Sequence, residues 1–217
     1  ISFGVGDPDL PTPAHIVEKL KETVKDPRTH RYSASRGIAG LRKAQASYYG
    51  RRFGVKLNPD TQVVATLGSK EGFANMAQAI TAPGDVILVP SPTYPIHEFG
   101  FIMSGGVIRH LPASTDSAFM TSLSRAVKHS VPKPSALVLN YPANPTAVVA
   151  SLDFYREVVG FAKKHDLILL SDLAYAVKEA SEGYLLAGVS YGYTFEWSHP
   201  SSGHLSLGKL LRCPQID

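Results

Sequence analysis

Leu167-Ile168-Leu169-Leu170-Ser171-Asp172 is an apolar run that ends in a carboxylate. An acid at the end of a buried strand has to be paired, because an isolated charge out of water is costly. A protonated ring nitrogen on a ligand is one fitting partner; the plainer reading is that Asp172 caps the turn or helix that follows. Tyr175 stands just beyond it, and Asn144 comes from the turn after another apolar run, Ala136 to Tyr141. A phenol and a carboxamide at that edge can hydrogen-bond a polar atom of the same ligand. Each also has a bland reading, Asn144-Pro145 as a turn and Tyr175 as a core aromatic.

A second pattern points to an anion. Gly68-Ser69-Lys70-Glu71-Gly72 follows the apolar stretch Val63 to Leu67 and opens a helical pattern. Free backbone N–H groups and the positive end of a helix can hold a phosphate there, with Ser69 and Lys70 as contacts. A simple strand-to-helix bend is the alternative. Tyr94 could stack on a flat ligand ring, or serve as a buried structural aromatic. Gly6 could let backbone approach a ligand closely, or simply make a turn.

The elements that must position these residues alternate. Thr12-Pro13 starts a helical pattern carried by Ile16, Val17, Leu20 and Val24, which Asp26-Pro27 stops. Leu41, Ala44, Tyr48 and Phe53 mark a second helix after the flexible stretch Ser33 to Gly40. The runs 63–67, 86–90, 107–111, 136–141 and 167–171 predict buried strands. Helices are predicted near 70–81, 94–104, 118–130 and 151–165, so the pattern is an α/β sheet with both faces covered. Residues 136–171 suit a strand, crossover helix and parallel strand. Ligands of such sheets gather at the carboxyl ends of the strands, where Asp172 and Asn144 fall.

Composition narrows the class. With 44% hydrophobic and 18% charged residues among 217, the chain can bury a substantial core. No apolar run is long enough for a membrane span. The 22 Lys and Arg against 18 Asp and Glu are scattered, which gives nucleic-acid binding no support. A lone cysteine, Cys213, and an opening without a charged-then-apolar segment predict a cytoplasmic protein. The opening Ile1-Ser2-Phe3-Gly4 reads as the inside of a strand and turn, so the chain is expected to begin mid-domain.

Taken together and in order, these motifs resemble the fold-type-I pyridoxal-phosphate-dependent aminotransferases (class I/II). The resemblance adds Gly4-Val5-Gly6-Asp7-Pro8-Asp9, Tyr32-Ser33-Ala34-Ser35-Arg36-Gly37 and Pro92-Thr93-Tyr94-Pro95 to those above, and covers roughly residues 1–176. Tyr94-Pro95-Ile96-His97 and Leu139-Asn140-Tyr141-Pro142-Ala143-Asn144-Pro145-Thr146 look most like the alanine (glutamate-pyruvate) transaminases and their diaminopimelate transaminase relatives. Ala147 stands where the family often has glycine.

The resemblance implies an aminotransferase-like large domain with a mostly parallel mixed sheet covered by helices, incomplete and without its small domain. Residues 1–30 would be an N-terminal segment from the small-domain or arm region, 31–176 the incomplete cofactor-binding large domain and 177–217 a divergent tail. It implies pyridoxal 5'-phosphate as cofactor, an amino acid such as alanine and a 2-oxo acid as substrates, and a homodimer. Asp172 would anchor the ring nitrogen, Asn144 and Tyr175 the phenolic oxygen, Tyr94 would stack on the ring, and Ser69 and Lys70 would hold the phosphate. Tyr32 would reach the phosphate in the partner subunit, and Gly6 would border the substrate carboxylate. Ser206-Leu207-Gly208-Lys209 looks like the family's Ser-x-Ser/Gly-Lys motif, so Lys209 is the candidate Schiff-base lysine and Ser206 a further phosphate contact.

The tail departs from the family, because the arginine expected after the lysine is absent and 184–204 does not match. An inactive cofactor-binding fragment or pseudoenzyme is therefore one alternative, and a carbon–sulfur lyase of the same fold another. Gly203-His204-Leu205-Ser206-Leu207-Gly208-Lys209 also begins like a nucleotide-binding P-loop, but Leu210 stands where Ser or Thr would hold magnesium. His199, His204 and Cys213 match no common metal-ligand spacing, so no metal is expected.

Overall fold

The computed structural model describes residues 10–175. In chain order the elements are α1 (Ala14–Val24), a short 3-10 turn (Pro27–Thr29), α2 (Ala39–Phe53), α3 (Ser69–Ile80), β1 (Val86–Ser91), α4 (Ile96–Met103), β2 (Val107–Pro112), α5 (Ser117–His129), β3 (Pro134–Asn140), α6 (Leu152–Lys164) and β4 (Ile168–Asp172).

The four strands pair in the order β2-β1-β3-β4, and every pairing is parallel. β1 is buried over Val86 to Pro90 and β3 over most of its length, as strands covered on both faces must be. β2 lies at an edge, and only Leu111 within it is fully buried.

Alternate residues of each strand feed two cores. Ile87, Val89, Ala136, Val138 and Leu170 pack with Phe73 and Ala77 of α3 and Phe101 of α4. Val86, Leu88, Leu111, Leu137, Leu139 and Tyr141 pack on the other face with Phe119 and Leu123 of α5 and Phe154 and Val158 of α6. Phe73, Phe101, Phe119 and Leu137 are at or near zero exposure, and burying each stabilises by about 1.5–3 kcal/mol relative to leaving it in water.

Helix starts follow local rules. Asp116 accepts hydrogen bonds from the Ala118 and Phe119 N–H groups at the head of α5, and Ser151 from Phe154 at the head of α6. α2 ends at Gly54, whose left-handed backbone (φ +67°) closes its last turn.

The predicted strand at 63–67 is not one. Val63 is buried, but the stretch makes no ladder; Ala65 donates one backbone hydrogen bond to Arg36 in the preceding loop. An apolar, β-branched stretch becomes a strand only when another strand's backbone lies alongside, and among the described residues none does. Among these residues, no helix is long and apolar enough to cross a membrane.

The connections on either side of the β1–β3 pair diverge. β1 runs into α4, which packs on the Phe73 face, whereas β3 runs into α6, which packs on the Phe154 face. Adjacent parallel strands whose following helices leave to opposite faces open a crevice at their carboxyl ends. Residues 92–95 and 141–150 lie in the loops that follow β1 and β3 at those ends.

Candidate functional site

Asp172 is the last residue of β4 and is 6% exposed. Strand alternation puts it on the same sheet face as Leu170, toward α3 and α4. There it meets His97 of α4, whose Nε2 lies 2.9 Å from Asp172 Oδ2 and whose ring has no exposure at all. A carboxylate only accepts, so Nε2–H is the donor. That tautomer leaves Nδ1 to accept from the Thr93 hydroxyl, 2.8 Å away. A hydroxyl, an imidazole and a carboxylate are thus linked across 79 residues of sequence, from the loop after β1 to the end of β4.

Asp172 Oδ1 also accepts from the Ala174 N–H at 3.2 Å. The bland reading of Asp172 as a turn cap is therefore true of one oxygen, while the other is held by His97. Pairing and donors together make its burial tolerable.

The imidazole is clamped by two aromatic rings, Phe73 at 5.0 Å and Tyr94 at 6.0 Å between centroids. Tyr94 in turn carries the Lys70 ammonium 5.3 Å from its ring centre, within cation–π range. The geometry therefore runs without a break from the head of α3 through Tyr94 and His97 to Asp172. Lys70 is exposed and Ser69 half-buried at the first turn of α3, whose leading N–H groups have no partner within the helix. Gly68 precedes them with φ +88°, a conformation that suits glycine alone, and a side chain built on it would meet nothing within 4 Å. The open space beside that helix end is what an anion needs.

Asn144 and Tyr175 are half-buried at the ends of β3 and β4. The turn carrying Asn144 is tied by Ala143 N–H to Val148 O and by Ala147 N–H to Ala143 O, both at 2.9 Å. Ala147 has φ +57°, which gives the physical reason for a glycine at that point of the motif. Tyr32 is fully exposed in the loop before α2. Gly6, Ser206 and Lys209 lie outside the described residues, as do His199, His204 and Cys213.

Sequence reasoning missed His97 and Thr93 as members of the site. Both stood within quoted motifs, and the available signal was the Thr93 to His97 spacing across the first turn of a helix that starts beside the strand ends. It also passed over Asn140. This residue ends β3, is 6% exposed, and its side-chain oxygen has no hydrogen-bond partner among the described residues.

The family model described as Aminotransferase class I and II matches residues 1–189. The chain belongs to this family. AatC of Rhizobium meliloti (strain 1021) is 72% identical over 176 residues, covering 81% of this chain and 44% of AatC. The glutamate-pyruvate aminotransferase AlaC of Escherichia coli (strain K12) is 44% identical over 176 residues, 81% of this chain and 43% of AlaC. Among solved structures, apo-BacF from Bacillus subtilis superposes with a TM-score of 0.74 at 38% identity, over 79% of this chain and 44% of BacF. The chain spans less than half the length of these relatives. The parallel sheet covered by helices agrees with the fold that the motifs implied.

Proposed function

We propose that this chain binds pyridoxal 5'-phosphate in the crevice at the strand ends and serves transamination between an amino acid and a 2-oxo acid. The observation that carries the reading is the buried carboxylate of Asp172, fixed by His97 beside Tyr94 and the open head of α3. A cation or N–H donor, a flat ring and an anion are what such a cradle selects, and pyridoxal phosphate bears all three. When bound, the cofactor supplies an electron sink that weakens a bond at the substrate's α-carbon.

The chain's own residues have separable tasks in this reading. Asp172 keeps a proton on the ring nitrogen, and His97 with Thr93 fixes the carboxylate's orientation in a dry setting. Tyr94 covers one face of the ring and excludes water from it. Ser69, Lys70 and the N–H groups of the first turn of α3 take the phosphate. Asn144 and Tyr175 hydrogen-bond the phenolic oxygen, and Lys209 is the amine that holds the cofactor and moves the proton, with Ser206 on the phosphate. Gly6 borders the substrate carboxylate. Full exposure of Tyr32 suits a residue that reaches the partner's phosphate in a homodimer. Residues 31–176 form the cofactor-binding domain in this division of the chain, with 1–30 as an arm.

AlaC is named for glutamate and pyruvate, so alanine with 2-oxoglutarate is the first substrate pair to try. Purified protein mixed with pyridoxal phosphate should develop a shifted visible band, and borohydride should fix the cofactor to Lys209, as peptide mapping would show. Pyruvate formed from alanine only with 2-oxoglutarate present supports transamination. Ammonia released without an oxo acid indicates a lyase instead, and no band at all sinks the cofactor reading.

A further inference from the structure

Asn140 is the last residue of β3. Its oxygen is buried and unpartnered among the described residues, a costly state that folded proteins rarely leave unexplained. The residue stands in register with Asp172 across the β3–β4 pair. Alternation along β3 puts Ala136 and Val138 in the core on the α3–α4 side, and Asn140 follows on that same face. Asn140 and Asp172 are therefore neighbours on one face, about 4.8 Å apart along the sheet.

The juxtaposition is unfavourable as it stands. Both oxygens of Asp172 already have protein donors, from His97 and Ala174, yet the carboxylate retains its charge and further lone pairs. Beside it lies an amide oxygen with no donor. Two neighbouring acceptors with spare capacity, held out of water at the carboxyl ends of β3 and β4, define a place for a positively polarised N–H group. A protein that only needed to fill the volume would use Leu, whose shape is close to that of Asn.

We propose that Asn140 is a second acceptor for the proton-bearing ring nitrogen that Asp172 faces, so that the amide and the carboxylate together keep that nitrogen protonated. The inference rests on the cofactor reading above. Other titratable groups near the spot are His97 on α4, which holds Asp172, Tyr94 in the loop before α4, Lys70 on α3 over the Tyr94 ring, Tyr175 just beyond β4, and Tyr155 on α6, which feels the Asp172 charge. None of these changes in the variants below.

The test loads the full-length protein with pyridoxal phosphate labelled with nitrogen-15 in the ring. Cofactor affinity and the pH titration of the ring-nitrogen shift are then followed in the wild type, Asn140→Leu and Asn140→Asp. Removing a hydrogen bond to a charged group should weaken cofactor binding about tenfold to a hundredfold in Asn140→Leu. The nitrogen should also release its proton at lower pH than in the wild type, while Asn140→Asp, which adds a second carboxylate, should move the titration upward. A merely structural Asn140 would change stability and leave the nitrogen titration where it was, and that result overturns the proposal. If Asn140→Leu fails to fold, Asn140→Asp decides alone, an unmoved or lowered titration counting against the assignment. Wild-type protein that binds no cofactor would defeat the proposed function and this inference with it. Binding with identical titrations in all three defeats this inference only.

Discussion

Replacing His97 with Phe should destabilise the fold chiefly by stranding Asp172. His97 is wholly buried and Asp172 is 6% exposed, so the variant leaves a carboxylate out of water with one of its two protein donors gone. Hydrogen bonds to charged groups contribute about 1.5–3 kcal/mol, and a buried carboxylate that loses a donor regains nothing from water. The Ala174 N–H remains and limits the loss, whereas the Thr93 hydroxyl loses its acceptor and adds to it. About 3 kcal/mol is the expected total. Phe adds hydrophobic surface beside Phe73 and Tyr94, so lost packing is not the main contribution. Asp172→Leu removes the charge itself, and the double variant has no stranded charge left. Urea unfolding of the two single variants and the double variant should therefore be non-additive by about 2 kcal/mol, the double being more stable than the sum predicts. Additivity within about 0.5 kcal/mol would refute the claim that the pair is coupled in a dry environment.

Other outcomes can be stated briefly. Burial holds the Tyr141 phenol far above its ordinary value of 10.0, and raises Tyr155 as well. A raised acid stays neutral in the fold while its unfolded counterpart ionises, so stability should be flat below about pH 10 and fall above it, Tyr141 contributing up to about 1.4 kcal/mol per pH unit and Tyr155 acting in the same direction. Unfolding measured from pH 8 to 11 should show this fall, and Tyr141→Phe should make it shallower while costing about 1 kcal/mol at neutral pH, because the Ser114 carbonyl loses its donor at 2.9 Å. Gly37→Ala should destabilise by about 2 kcal/mol in thermal unfolding, since the new Cβ would lie 2.5 Å from Ala65 Cβ at a φ of +79°. Ala147→Gly should act in the opposite direction. Relief of a left-handed alanine at φ +57° returns about 1–2 kcal/mol, and the added freedom of the unfolded chain removes about 0.4–1 of it.

Most helices and four of the five predicted strands were legible because their apolar spacing records one-sided or two-sided burial locally. The helix at 118–130 is observed as α5, Ser117–His129, and the unit predicted across 136–171 is observed as β3, α6 and β4. The stretch 63–67 misled because its composition describes a buried extended segment and cannot say whether a neighbour will pair with it. Asp172 stood out as a candidate because it ends an apolar run, and Asn144 because it lies in the turn that follows one. His97 was not readable in the same way. On α4 it is one more residue of an apolar turn, and it gains meaning only when the order β2-β1-β3-β4 sets α4 beside the end of β4.

The sequence by itself determined the alternation of elements, the acid at a strand end, the glycine before a helix head, and through their order the family. Tertiary structure alone decided which of these meet. The divergence of connections around β1 and β3 opens the crevice, parallel register makes Asn140 and Asp172 neighbours, and both residues face α4 because side chains alternate along a strand. The physical reason is range. Propensity and periodicity act over a few residues, whereas the contact between His97 and Asp172 spans 75 positions and exists only once the sheet has formed.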